Sequence, residues 1–213
     1  MGADERRMQL SGHVWRAACS SPSHNWPVRA ENGTDEVASS RAMHTGTMRN
    51  RMKPVEPAPG QESVWDYPRP PRLEPTAERV IIALGGTVIA ETTDAVRVLE
   101  TSHPPVYYVP RAAFAAGALE PAAGSSFCEF KGVAGYLDVR GGDAVAAGAG
   151  WFYPQPSAGF EALVDLVAIY PAAMDYCEVD GERVRPQAGG FYGGWITDRV
   201  VGPFKGEPGT AGW

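Results

Sequence analysis

Residues 126–136, SFCEFKGVAGY, gather the chain's densest set of reactive side chains: Cys128, Glu129, Lys131 and Tyr136. A thiol becomes a nucleophile when a neighbouring cation lowers its pKa. A lysine set between an aromatic and a glycine can hold its ammonium in a partly dry site, where it binds an anion or serves as base or nucleophile. Lysine is scarce here, three against sixteen arginines, yet two of the three, Lys131 and Lys205, sit inside Phe-Lys-Gly. The competing readings are a solvated strand-end lysine and an inert buried cysteine. If the segment is one continuous strand, alternation puts Cys128, Phe130 and Gly132 on one face and Phe127, Glu129 and Lys131 on the other. Thiol and ammonium then diverge unless a bulge intervenes. A Glu129–Lys131 surface pair, worth about 0–1 kcal/mol, is the easier geometry.

His103 is the single histidine beyond residue 60, so imidazole general-base chemistry in that part of the chain has to use it. Its setting, ETSHPP, is extended and loop-like because of the following prolines. The types present also permit a His103/Cys128 dyad or a His103/Cys128/Cys177 metal set, though neither has diagnostic spacing. The cysteines, 19, 128 and 177, form no Cys-x-x-Cys pair, which argues against a disulfide framework and a four-thiolate zinc site, and no metal site is assigned. Catalytic candidates are therefore Lys131, Cys128 and His103. Binding candidates are Glu100, Tyr108, Glu129, Tyr136 and Tyr170, as polar partners, walls and hydrogen-bonding tips. No G-x-x-x-x-G-K-[ST] loop or G-x-G-x-x-G helix start occurs, and GGFYGG at 189–194 reads as a tight aromatic hairpin.

The elements that must position these residues are β-strands. The chain has 213 residues, and residues 61–213 hold 20 Gly, 14 Pro and 19 of the 21 aromatics. Gly plus Pro at about 22%, against a usual 12%, excludes long helices. Residues 78–90 (ERVIIAL-GG-TVIA) form a hairpin signature. Further β-prone runs are 95–99, 106–109, 126–131, 133–139, 149–153, 166–170, 176–179 and 190–197. Phe160, Leu163, Val164 and Val167 fall at helical offsets, which predicts one short helix over 157–167. The expected fold is mostly β, a compact antiparallel barrel or tent-like folded sheet with that helix.

Residues 1–60 have no hydrophobic period and only two aromatics, and are read as a disordered tail or gene-model extension. Residues 61–213 form the single β-rich domain. The tail carries eight Lys/Arg against six Asp/Glu, the domain eleven against nineteen. An acidic domain disfavours phosphate-backbone binding, so no nucleic-acid partner is expected. No run approaches the roughly 20 apolar residues of a membrane span, and the start lacks a secretory core. Arg6 stands where a myristoylation signal needs Ser or Thr. These features describe a soluble, cytoplasmic protein.

Two echoes run through the domain: W-x-Y-P-x-P at 65–70 and 151–156, and Phe-Lys-Gly at 130–132 and 204–206. Their unequal spacings, 86 and 74, speak against tandem duplication. Together with VWDYPRPP (64–71), RVLETSHPPVYYVP (97–110), SFCEFKG and the later Tyr136, VAIYPAAMDYCEVDGERVRPQ (167–187), GGFYGGWIT and VGPFKGEPGTAGW, they make residues 63–213 resemble the domain-of-unknown-function 427 family. The resemblance implies a small, mostly-β, open or tent-like fold with no settled activity. A nucleotidyltransferase label also attached to the family lacks support here, since no Gly-Ser is followed by an Asp-x-Asp pair to hold two metal ions. The expectation is a small-molecule-binding or weakly enzymatic pocket around Cys128, Lys131 and Tyr136. The alternative is an interaction module presenting aromatic edges.

Overall fold

The computed structural model describes residues 53–210. Seven strands form one antiparallel sheet in the order β2 (Arg72–Thr76), β5 (Ala95–Leu99), β6 (Val106–Pro110), β10 (Leu166–Ile169), β9 (Ala144–Phe152), β8 (Gly132–Gly141) and β7 (Leu119–Cys128). Four more form a second: β12 (Glu182–Arg183), β11 (Tyr176–Val179), β3 (Val80–Leu84) and β4 (Thr87–Thr92). Short pairs join β1 (Glu62–Ser63) to β15 (Val200–Val201) and β13 (Arg185–Pro186) to β14 (Trp195–Ile196). The edge strands β2 and β7 do not pair with each other, so the sheet is an open tent and not the closed barrel the sequence also allowed.

Alternation along the strands gives the large sheet two apolar faces. One carries Tyr107, Leu137, Val139, Ala149, Val167 and Ile169, packed against Val80, Ile82, Leu84 and Cys177 of the small sheet. This is the main core. Trp195 completes it, its ring 5.1 Å from Tyr107 and its indole N–H donating to the Ile169 carbonyl at 3.2 Å. The opposite face carries Val98, Tyr108, Ala134, Trp151 and Ala168, with Phe160 and Leu163 packed beside them. The candidate site lies on this second face.

The β3–β4 hairpin closes through Gly85-Gly86 with Leu84 opposite Thr87. Runs 95–99 and 176–179 coincide with β5 and β11. The helix expected over 157–167 does not form. Its apolar spacing is the sum of one 3-10 turn, Glu161–Leu163, and the start of β10. Asp165, at φ 61°, breaks the chain direction between them. Val167 and Ala168 then pair with β6, and Ala168 also with β9, so hydrogen bonding inside the sheet outweighs the local periodicity. Within 190–197 only Trp195–Ile196 is strand, and the aromatic hairpin read at 189–194 is a loop without a ladder.

Residues 53–60 are exposed loop, anchored where the Val55 N–H donates to the Gly202 carbonyl at 2.8 Å. The rest of the predicted tail, residues 1–52, lies outside the described residues. Among the described residues no helix is long and apolar enough to cross a membrane.

Candidate functional site

One row of cross-strand neighbours brings Tyr108, Trp151 and Tyr136 to the floor of a cavity of about 280 Å³. Val96 of β5 faces Tyr108 of β6, Tyr108 faces Ala168 of β10, Ala168 faces Trp151 of β9, and Trp151 faces Tyr136 of β8. Because paired residues share a face, the register alone aligns Tyr108, Trp151 and Tyr136. The Trp151 indole N–H donates to the Tyr108 hydroxyl at 3.0 Å, and the Tyr170 ring lies 4.5 Å from that of Trp151. The Tyr136 hydroxyl donates to Ser126 Oγ at 2.9 Å.

The wall nearest β7 is the tip of the β7–β8 hairpin, where Cys128 pairs with Gly132 and Glu129, Phe130 and Lys131 form the loop. A three-residue loop of this kind needs left-handed backbone at its end, and Gly132 supplies it at φ 97°. The turn ends the strand at Cys128, so the alternation that would have separated thiol and ammonium stops there. Both Cys128 and Lys131 line the cavity. Lys131 is 9% exposed, and among the described residues its ammonium has neither an ion pair nor a side-chain hydrogen bond. The expected Glu129–Lys131 pair does not form; Glu129 is 3.1 Å from Arg69 instead.

The rim is built by loops. His103, between β5 and β6, stands edge-on to Tyr192 at 5.2 Å. Arg69 spans Glu100 at 3.5 Å and Glu129 at 3.1 Å, with its guanidinium 5.5 Å from the Phe130 ring. Lys205 is held by its backbone: its N–H donates to the Ser102 carbonyl, and its carbonyl accepts from Gln187 Nε2, both at 2.8 Å. Gln187 Oε1 accepts from the Gly194 N–H at 3.1 Å, which ties the 187–194 loop to the same place.

Burial sets the protonation states. It pushes the Tyr108 phenol well above its ordinary value, with Tyr153 adding to the effect. Burial, then the neighbouring Cys128, does the same for Tyr153. Burial and Tyr136 raise Tyr170. Burial lowers His103, against the opposing Thr101 carbonyl and Glu100. His103 Nδ1 lies 3.0 Å from that carbonyl, an acceptor, so Nδ1 carries the proton and Nε2 keeps its lone pair. At neutral pH these phenols are therefore protonated and the imidazole neutral.

All eight candidate residues, Glu100, His103, Tyr108, Cys128, Glu129, Lys131, Tyr136 and Tyr170, line this one cavity. Among the described residues no hydrogen bond joins Cys128 to His103. Cys177 is in the main core, its thiol pushed up by burial, and no three His, Cys, Asp or Glu of the described residues are grouped to hold a metal ion. Sequence reasoning missed Arg69, Trp151, Tyr153, Lys205 and Tyr192 as lining residues. The signal was the two echoes: the first W-x-Y-P-x-P contributes Arg69, the second Trp151 and Tyr153, and each Phe-Lys-Gly its lysine. Tyr67, Trp151 and Tyr153 of those motifs are buried, whereas Phe127 and Phe191 are 76% and 69% exposed.

Cys128 is half-buried and Cys177 buried, which predicts selective labelling. In a Cys19→Ser background, a small alkylating reagent is expected to modify one thiol per folded chain, at Cys128 by peptide mapping. Equal labelling of Cys177 would contradict the packing described above.

A profile of the family described as domain of unknown function (DUF427) matches residues 72–180, about half of the chain. No curated protein matches.

Proposed function

The chain belongs to the domain-of-unknown-function 427 family, and for this member we propose a small-molecule pocket that binds an anionic group on Lys131. One observation carries the reading: Lys131, a residue only 9% exposed, lines an aromatic cavity with no ion pair to its ammonium among the described residues. Buried charges in folded proteins are paired, because an unpaired one loses its hydration without compensation. A ligand oxyanion supplies the missing partner. The aromatic floor takes an apolar body.

The test is a comparison of small anions, carboxylates and inorganic phosphate, against wild type and Lys131→Met by ligand-observed NMR and thermal shift. Removal of Lys131 is expected to weaken anion binding about 10- to 100-fold, in keeping with roughly 1.5–3 kcal/mol for a hydrogen bond to a charged group. Without ligand, Lys131→Met is expected to melt no lower than wild type, since it removes a charge that has no ion pair among the described residues and keeps the side-chain bulk. Equal anion binding by the two proteins overturns the reading. Lys131→Gln provides the same comparison with a polar, uncharged side chain.

A further inference from the structure

Resting on the anion reading, the charges and surfaces around the cavity narrow the ligand class. Two carboxylates, Glu100 and Glu129, line it beside Arg69, Lys131 and Lys205, and His103 is neutral. Arg69 already contacts both carboxylates. Those same carboxylates would repel the outer charges of a di- or triphosphate, so the lining suits a monoanion.

The walls select a flat body. Tyr108 and Trp151 meet at 82° with centroids 6.2 Å apart, and Tyr170 inclines over Trp151 at 41°. Faces and edges of this kind hold an aromatic ring better than a saturated one. A cavity of about 280 Å³ sits at the lower end of the roughly 300–1,000 Å³ typical of ligand sites, which favours a single ring over a nucleotide. On the rim, His103 engages Thr101 through Nδ1 and therefore presents a lone pair at Nε2, an acceptor that a ligand donor satisfies.

We infer that the pocket takes a small aromatic monocarboxylic acid, its carboxylate on Lys131 and a ring hydroxyl or amino group toward His103. The experiment uses the full chain and calorimetric titration with benzoate, 3- and 4-hydroxybenzoate, 4-methoxybenzoate, cyclohexanecarboxylate and inorganic phosphate. Both Lys131→Met and His103→Phe are titrated beside wild type, with circular dichroism to confirm that each is folded. The expected order is a hydroxybenzoate at least 10-fold tighter than cyclohexanecarboxylate and phosphate, with every carboxylate weakened by Lys131→Met. His103→Phe is expected to remove the preference for hydroxyl over methoxy and leave benzoate bound.

If phosphate or the saturated acid binds as tightly as the aromatic acids and still depends on Lys131, the aromatic assignment fails and the anion reading stands. If the hydroxyl preference survives in His103→Phe, the orientation toward His103 is wrong. If no anion depends on Lys131, both readings fall.

Discussion

Replacing Arg97 with methionine is expected to lower domain stability by about 3–5 kcal/mol, seen as a fall in the urea midpoint with an unchanged slope. Arg97 lies on β5 directly between Glu74 on β2 and Tyr107 on β6. Its guanidinium is 1% exposed, bonds Glu62 at 2.6 Å and also holds Glu74. Burial works against its charge, but the hydrogen bonds and charges of Glu62, with Tyr107 and Glu74, more than restore it. Arg199 reaches Glu62 at 3.2 Å and also pairs with Glu78. Without Arg97, Glu62 and Glu78 are left with Arg199, and Glu74 with the exposed Arg72 at 3.0 Å. The pair Glu74→Gln with Arg97→Met should recover part of the loss, because it also removes a carboxylate that has lost its buried partner and keeps only the exposed Arg72. A loss below about 1 kcal/mol for the single replacement would show that neighbouring side chains or water take over the role.

The same network sets an acid limit. Burial pushes the Glu78 carboxyl up, yet hydrogen bonds from Tyr107 and Thr76 and the charges of Arg199 and Arg97 bring it below its ordinary 4.5. A carboxyl lowered by folding contributes stability that is complete above its unfolded pKa and is lost as pH falls below it. Melting temperature is therefore expected to drop below about pH 4.5 more steeply in wild type than in Glu78→Gln. Parallel curves would remove Glu78 from the account.

The second large effect is expected at Gly85, where alanine should cost about 3 kcal/mol or more, and at Gly86, where it should cost only about 1–2 kcal/mol. Both residues have positive φ, 61° and 73°, so both substitutions carry the left-handed penalty. They differ in surroundings. A Cβ at Gly85 would lie 1.9 Å from the Gly141 carbonyl oxygen, a backbone atom that cannot turn aside, whereas nothing lies within 4 Å of one at Gly86. The β3–β4 turn of the small sheet presses here on the end of β8, and the two sheets meet backbone to backbone. The difference between the two urea midpoints isolates that contact from the turn conformation. Equal losses would mean that the sheets can separate at this point without cost.

Several parts of this architecture were legible without coordinates because they depend on neighbours in the chain. Gly85-Gly86 between apolar runs specifies a hairpin, and the β-branched run at 80–82 with Ala83 and Leu84 specifies a buried strand. The segment 157–167 misled because Phe160 and Leu163 come from a 3-10 turn and Val167 from a strand, and residue spacing does not reveal hydrogen-bond partners. The candidate site behaved similarly. Residue types alone singled out Lys131, Cys128, His103 and Tyr136, but alternation sent Lys131 and Cys128 apart because a strand was assumed to continue through 131. The chain turns at Glu129 instead.

By itself the sequence determined the composition of the site and the β class: scarce lysines in Phe-Lys-Gly, aromatic-proline motifs, glycine and proline too dense for helices. Only the tertiary structure decided that Lys131 is buried with no ion pair among the described residues, that Arg97 is a buried, paired cation, and that both echoes contribute to one cavity. The physical reason is that local backbone preference acts over a few residues, while burial and charge pairing depend on strands 23 to 138 positions apart meeting in register, such as Arg97 beside Glu74 and Glu62 beside Val200.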